Sequence, residues 1–284
     1  MMNKIIGLIT AWGVEDWIRP AIKQALEYCD EVLAVVSAFA PQLKRFEDRT
    51  YDICKEYGGV KLLDYESKET FIRSAIADVL NHMLKNSDLH EVGNWVWILD
   101  SDEFYAESSA NEIIAATRNN VEYDKIIMES RFFMINMQHY LNEAGDRMFK
   151  IMDLDDKFVP TCRWSRRPRK PYIVRRANGL FHYSMLTNTE RHRERWLLRY
   201  RDTPAVGIKM AEWLNKIYLK YDLKNEDYWI EENLKLSGIK SSWVNTGFTP
   251  DENGKLFKYN DRHPRFIEEA GLPEIKDFRK RYAK

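Results

Sequence analysis

Two periodicities alternate along the first 130 residues, and that alternation restricts the fold more than any other feature of the chain. Short, nearly continuous apolar runs occur at Ile5 to Ala11, Val32 to Val36, Val60 to Asp64, Trp95 to Leu99 and Lys125 to Glu129. Runs of this length, rich in β-branched residues, suit strands buried on both faces. Between them the apolar residues recur at helical spacing. Trp17, Ile18, Ala21, Ile22, Ala25 and Leu26 make one stripe, and Phe71, Ile72, Ala75, Ile76, Val79, Leu80, Met83 and Leu84 make another. Further helices are expected over Gln42 to Tyr57, stopped by Gly58-Gly59, and over Ala110 to Arg118. Strand, helix, strand, helix in this order demands crossover connections and a mainly parallel, doubly wound sheet. In such sheets ligands sit at the carboxyl ends of the strands.

Beyond residue 130 the pattern loosens. Short strands are expected at Tyr172 to Arg175 and Gly179 to Tyr183, and helices at Thr189 to Arg201, Val206 to Tyr221, Asp227 to Leu236 and Ile275 to Tyr282. The expected organisation is an α/β domain over residues 1–186 and a helical C-terminal extension over 187–284 packed on it. Between them, Arg163 to Arg176 carries Arg163, Arg166, Arg167, Arg169, Lys170, Arg175 and Arg176 around Pro168 and Pro171. Proline interrupts both ladders and helices, so this basic stretch reads as a loop, either solvated or a lid over an anion.

Composition narrows the classes of function. Aromatic residues make up 13 % of the chain, too many for a segment that cannot collapse. Forty-four basic side chains balance 44 acidic ones, which gives no field favouring nucleic acid or an anionic membrane. No uncharged apolar run approaches the roughly 18 residues of a membrane span, and the apolar run after Met1 is too short for a signal peptide. Cys29, Cys54 and Cys162 are far apart and form neither a zinc pattern nor a disulfide framework. The expectation is a cytoplasmic protein, at most peripheral to a membrane.

The strongest chemical signal is Trp95-Val96-Trp97-Ile98-Leu99-Asp100-Ser101-Asp102-Glu103, a buried strand ending in three carboxylates within four positions. Clustered carboxylates at such a place repel one another and lose hydration, so they persist most readily beside a cation. In an extended chain Asp100 and Asp102 share a side, about 7 Å apart by the strand rise. Oxygen ligands favour Mg2+ or Mn2+. The plainer alternative is a polar turn whose aspartates cap the next helix.

These residues resemble a family of known chemistry. The segment from Asn94 to Glu103 is similar to the metal motif "gdWilflDaDE" of family 2 glycosyltransferases, enzymes of GT-A fold. The resemblance extends to the first strand followed by Glu15, to Tyr57-Gly58-Gly59 before the third strand, and to Phe71-Ile72-Arg73-Ser74-Ala75. Downstream it includes Arg147-Met148-Phe149-Lys150 and Phe181-His182-Tyr183. It covers about residues 4–185 and departs in two places. Ser37-Ala38-Phe39-Ala40 stands where the family has a base-contacting acid, and Ser74 replaces an Asn.

The resemblance implies a transferase using a nucleotide-diphosphate sugar, UDP-linked by preference, with a glycan, lipid or protein acceptor. It implies Mn2+ or Mg2+ held by Asp102 with Asp100 and His182, and Glu15, Arg73 and Asp100 around the donor. A divalent cation stabilises charge on the departing diphosphate, and guanidinium forks onto phosphate. An inverting transfer also needs a general base. Glu129, at a predicted strand end, is the first choice, with Glu143 and Asp146 behind it. Phe132-Phe133, Trp196 and Trp213 are available for sugar stacking or for the core. A sugar-phosphate nucleotidyltransferase is disfavoured, because Thr10 to Glu15 has one glycine and no lysine. A phosphatase with an aspartyl nucleophile is also disfavoured, because DxD follows the fourth strand rather than the first. A non-catalytic sugar-nucleotide binding module remains the alternative outside enzymes.

Overall fold

The computed structural model describes residues 2–69, 71–119, 122–160, 163–166, 170–174, 179–200, 204–237, 250–275 and 277–281. The first strand, β1 (Ile5–Ala11), has the bounds expected from sequence and is almost wholly buried. Gly13 follows at φ +64°, and a side chain there would meet the Phe46 carbonyl, so only glycine suits this turn. The chain then enters α1 (Glu15–Tyr28), where Pro20 lies near the start and Trp17, Ile18, Ala21, Ile22 and Ala25 face the sheet. Next come β2 (Glu31–Val36), α2 (Thr50–Lys55), β3 (Val60–Leu62), α3 (Ile72–Lys85) and β4 (Trp95–Ile98). The single helix expected over Gln42 to Tyr57 is instead a 3-10 turn at Pro41–Phe46 followed by the short α2. Pro41 starts the first piece, and Asp48 starts the second by accepting from the Thr50 amide and hydroxyl.

After β4 the chain crosses the sheet to β5 (Glu103–Tyr105), then runs through α4 (Glu107–Asn119), β6 (Lys125–Phe133) and β7 (His139–Lys150). Short strands β8 (Phe158–Val159) and β9 (Arg163–Trp164) form a separate hairpin. β10 (Pro171–Val174) and β11 (Leu180–His182) both pair with β6. Helices α5 (Thr189–Arg199), α6 (Pro204–Lys216) and α7 (Glu226–Ser237) follow, then β12 (Phe257–Lys258), α8 (Arg265–Glu269) and α9 (Phe278–Arg281).

The main sheet has the order β3-β2-β1-β4-β7-β6-β11-β5, with β10 on β6 and β12 on β7. β1 to β4 pair in parallel and carry helices on their crossovers, the doubly wound arrangement expected. β7 runs antiparallel to both β4 and β6. On the edge of β7 that faces β4, the β4 ladder covers residues 148–150 and β12 covers 139–140. The stretch between these ladders opens onto the cleft described below.

Apolar clusters lie on both faces of the sheet. One, with Ile6, Leu33, Val79, Leu80, Met83 and Val96, packs α3 against β1, β2 and β4. The larger one is built on Trp17, Trp95, Trp97, Phe104 and Tyr183, and it also takes in Tyr259, Phe266, Ile267, Leu272 and Phe278 from the C-terminal segment. The extension is therefore not only helical: it adds β12 to the sheet and aromatic rings to the sheet's core. No helix among the described residues is long and apolar enough to cross a membrane.

Candidate active site

A cleft of about 420 Å³ opens at the carboxyl ends of the central strands. Asp100, Ser101 and Asp102 line it, where the chain leaves β4 and passes over β7, β6 and β11 to reach β5. The backbone fixes this crossing: the Glu103 amide donates to the Asp100 carbonyl at 3.0 Å and the Tyr183 amide to that of Asp102 at 2.8 Å. Neither aspartate side chain caps a backbone amide among the described residues. The Asp100 carboxylate accepts from the Thr10 hydroxyl at 3.5 Å, and that of Asp102 faces His182.

β11 supplies His182, held between carboxylates. Its Nδ1 lies 2.8 Å from Glu143 on β7, while Nε2 lies 3.9 Å from Asp102 and 3.8 Å from Glu103. Glu143 also accepts from the Ser130 hydroxyl on β6 at 3.2 Å. Burial opposes charge on the imidazole, but Glu143, Glu103 and Asp102 outweigh it and push its pKa up to about 9. Burial also acts on Glu143, and His182 and Arg147 reverse it, so this carboxyl stays below its ordinary range.

Glu103, the third acid of the motif, is not a cleft residue. It is fully buried and forms a two-pronged ion pair with Arg147. Burial pushes its carboxyl up to about 7 against the pull of Arg147. Arg147 is brought there by a bulge. Ile126 pairs with Met148 and Ile127 with Asp146, which leaves Arg147 as the extra residue of β7 and turns its side chain toward Glu103.

Cations also line the cleft. Arg191, Arg195 and Arg199 lie at i, i+4 and i+8 on α5, so they share one face, and all three line the cleft. Arg191 anchors the helix by donating to the Trp12 carbonyl and, at 3.1 Å, to the Thr187 hydroxyl. Asn188 caps α5 by accepting from the Glu190 and Arg191 amides. Arg195 makes no hydrogen bond or ion pair among the described residues. Arg73, near the start of α3, also lines the cleft, with its guanidinium over the Tyr200 ring at 5.3 Å. This arginine row was not singled out from sequence, although its four-residue spacing was the available signal.

The two ends of the cleft are apolar. Near the exit of β2 stand Trp12, Phe39 and Leu43, with Phe39 in the left-handed region at φ 56°. Near the exit of β6 stand Phe132, Trp196 and Met210. Phe133 and Trp213, the other stacking candidates, are buried at 0 % and 2 % exposure and belong to the core.

Asp100, Asp102, His182 and Arg73 are thus brought together in one cleft, along with Glu143 and Asp146. Glu15 and Glu129 do not line it. Glu15 sits at the exposed start of α1 and takes part in a cap with Asp48 and Arg49. Glu129 alternates with Ser130 along β6, so it points to the sheet face opposite the one that meets Glu143. The basic stretch does not reach the cleft where it is described: Arg166 pairs with Asp156 and Asp153, and Lys170 with Glu122. Arg167, Arg169, Arg175, Arg176 and Cys162 lie outside the described residues, as does the side chain of Arg163. Among the described residues no three His, Cys, Asp or Glu side chains form a metal-binding group.

No protein-family model and no curated protein matches the chain. Among solved structures, TarS 1-349 of S. aureus aligns over 82 % of this chain and 80 % of its own, at 12 % identity and a TM-score of 0.43. The same protein in complex with UDP aligns over the same shares at 13 % identity and a TM-score of 0.43. A mannose-1-phosphate geranyltransferase from Thermus thermophilus aligns over 91 % of this chain and 73 % of its own, at 12 % identity and a TM-score of 0.29. Scores this low say nothing of substrate or activity, which have to be inferred from the cleft.

Proposed function

We propose that the chain is a glycosyltransferase that moves a sugar from a nucleotide-diphosphate donor, with a divalent cation in the cleft. One observation carries this: the carboxylates of Asp100, Asp102 and Glu143 and the guanidiniums of Arg73, Arg191, Arg195 and Arg199 line a single cleft. Carboxylates alone would repel a diphosphate, and arginines alone would fit any anion. The two sets together suit an anion that arrives with a cation.

Asp102 and His182 fit the cation's requirements. One offers a carboxylate oxygen and the other a ring nitrogen, 3.9 Å apart, and Glu143 orients the imidazole from its far side. A carboxylate and an imidazole would suit Mg2+ or Mn2+ carried in with the diphosphate. When bound, such a cation neutralises charge on the departing diphosphate.

The chain's own groups divide the rest of the work. The proposed site for the nucleoside is the β2 exit, among Trp12, Phe39 and Leu43. Asp100, two strands along at the β4 exit, takes a ribose hydroxyl. Arg195 and Arg73 pair with the phosphates, and the sugar lies toward Phe132 and Trp196 at the β6 exit. If configuration inverts, Asp146 is the proposed base for the acceptor hydroxyl. It lines the cleft and is 41 % exposed, with Lys125 on one oxygen at 2.8 Å, whereas Glu143 is held between His182 and Ser130, and Glu129 lies on the far face. The acceptor is a glycan, lipid or protein group carrying a free hydroxyl.

The test is a thermal-shift panel of UDP-, GDP-, CMP- and dTDP-sugars with and without Mn2+. One nucleotide is expected to raise Tm only when the cation is present, by mass action. Asp102→Ala should abolish that rise and leave a folded protein. A rise retained in Asp102→Ala, or no rise with any nucleotide in the wild type, overturns the proposal.

A further inference from the structure

The proposed glycosyltransferase assignment leaves one buried polar group in the cleft without a task. His192 is 6 % exposed and lines the cleft, yet neither ring nitrogen has a hydrogen-bond partner among the described residues. A buried polar group without a partner costs free energy, and native chains seldom leave one so placed. The side chain is not needed as a helix cap, because Asn188 already caps the start of α5. Nor does the imidazole answer to a nearby carboxylate. Burial holds its pKa well below the ordinary value, and Arg195 and Arg191 act in the same direction, so the ring is neutral. A neutral imidazole presents one donor and one acceptor.

Its surroundings limit what it can meet. Trp196, one turn further along α5, stands edge-on to the ring with centroids 4.4 Å apart. Phe132 and Met210 line the same end of the cleft and pack in the same apolar cluster as Trp196. Phosphate is better served by the adjacent guanidinium of Arg195. A nucleobase has the separate apolar end around Trp12 and Phe39. What suits a lone donor and acceptor beside aromatic rings is a hydroxyl attached to a ring with C–H faces. Resting on the glycosyltransferase assignment, we propose that His192 binds a hydroxyl of a sugar at the β6 end of the cleft. His182 touches Phe132 at that end, with ring centroids 4.8 Å apart, so Asp102 and His182 would hold the cation beside the sugar.

The sugar is either the donor's or the acceptor's, and two arms distinguish them. In the first, the full chain with Mn2+ is titrated calorimetrically with UDP, GDP, CDP and dTDP, each alone and as its glucose conjugate. In the second, it is titrated with the methyl glycosides of glucose, galactose, mannose and N-acetylglucosamine in the presence of the nucleoside diphosphate that binds. His192→Phe keeps the aromatic bulk and removes both polar atoms, whereas His192→Asn keeps a donor and an acceptor. We expect His192→Phe to bind the bare nucleoside diphosphate as the wild type does. It should lose about tenfold in affinity for the sugar conjugate, the weight of one hydrogen bond left unmade, and His192→Asn should recover part of the loss. If the loss falls on the methyl glycosides instead, the sugar is the acceptor's. Equal loss for the bare diphosphate, or no loss in either arm, overturns the proposal. If no nucleoside diphosphate binds the wild type, the glycosyltransferase assignment itself has failed. Should His192→Phe not fold, as judged by its thermal melt, His192→Ala takes its place.

Discussion

Arg147 shows how much one residue can do in this molecule. It is the odd residue of a bulge, and through it the buried Glu103 keeps a partner while Asp100 and Asp102 remain free to face the cleft. A buried charge that loses its counter-ion is strongly destabilising, whereas removing both charges is far milder. Arg147→Met is therefore expected to lower stability by about 3–5 kcal/mol in urea denaturation. Pairing it with Glu103→Leu should restore much of that. A single variant that unfolds within about 0.5 kcal/mol of wild type would show that the pair carries no structural weight. Sequence marked Glu103 as part of an acidic cluster, but it could not show that this acid is sealed away. Burial depends on strand pairing across 44 residues of chain.

At the scale of elements, α5 decides whether the cleft carries cations beside its acids. Its four-residue spacing brings Arg191, Arg195 and Arg199 to one face, and Arg191 ties that face to the β1 exit through the Trp12 carbonyl. Arg195, which has no ion-pair partner among the described residues, is the guanidinium best placed to pair with an incoming anion. Arg195→Ala should weaken nucleoside diphosphate binding roughly tenfold or more, as expected for a charge-assisted hydrogen bond, with less loss at high salt. Titration at 0.05 and 0.5 M NaCl reads this directly, and unchanged affinity at both would remove Arg195 from the anion site. β1, α1, β2, α3 and β4 were legible because each has one periodicity and a buried face. β7 was not, beyond its Arg147–Lys150 end, because its middle turns polar residues toward the cleft. No single alternation then survives along its twelve residues.

For the whole molecule, the last 35 residues matter as much as the first strands. Tyr259, Phe266 and Phe278 complete the aromatic core around Trp17 and Tyr183, and His263 joins them through the Tyr183 hydroxyl at 2.8 Å. Burial, helped by Arg131 and opposed by Glu268, lowers the pKa of His263 to about 4. The unfolded chain takes up this proton near pH 6.5 and the folded chain only near 4, so stability falls as pH drops through that window. The loss should reach about 3 kcal/mol by pH 4, at about 1.4 kcal/mol per pH unit. In melts from pH 7 to 4, His263→Asn should flatten this acid limb, and an identical limb in both proteins would place the loss elsewhere. By itself, the sequence determined the alternation of strand and helix, the doubly wound sheet and the position of Asp100-Ser101-Asp102 at a strand exit, because these follow from local periodicity. Only the tertiary structure decided which acids face the cleft and which cations join them. It also decided that the C-terminal segment belongs to the core. These outcomes depend on pairings between residues far apart in the chain, and local patterning carries no record of them.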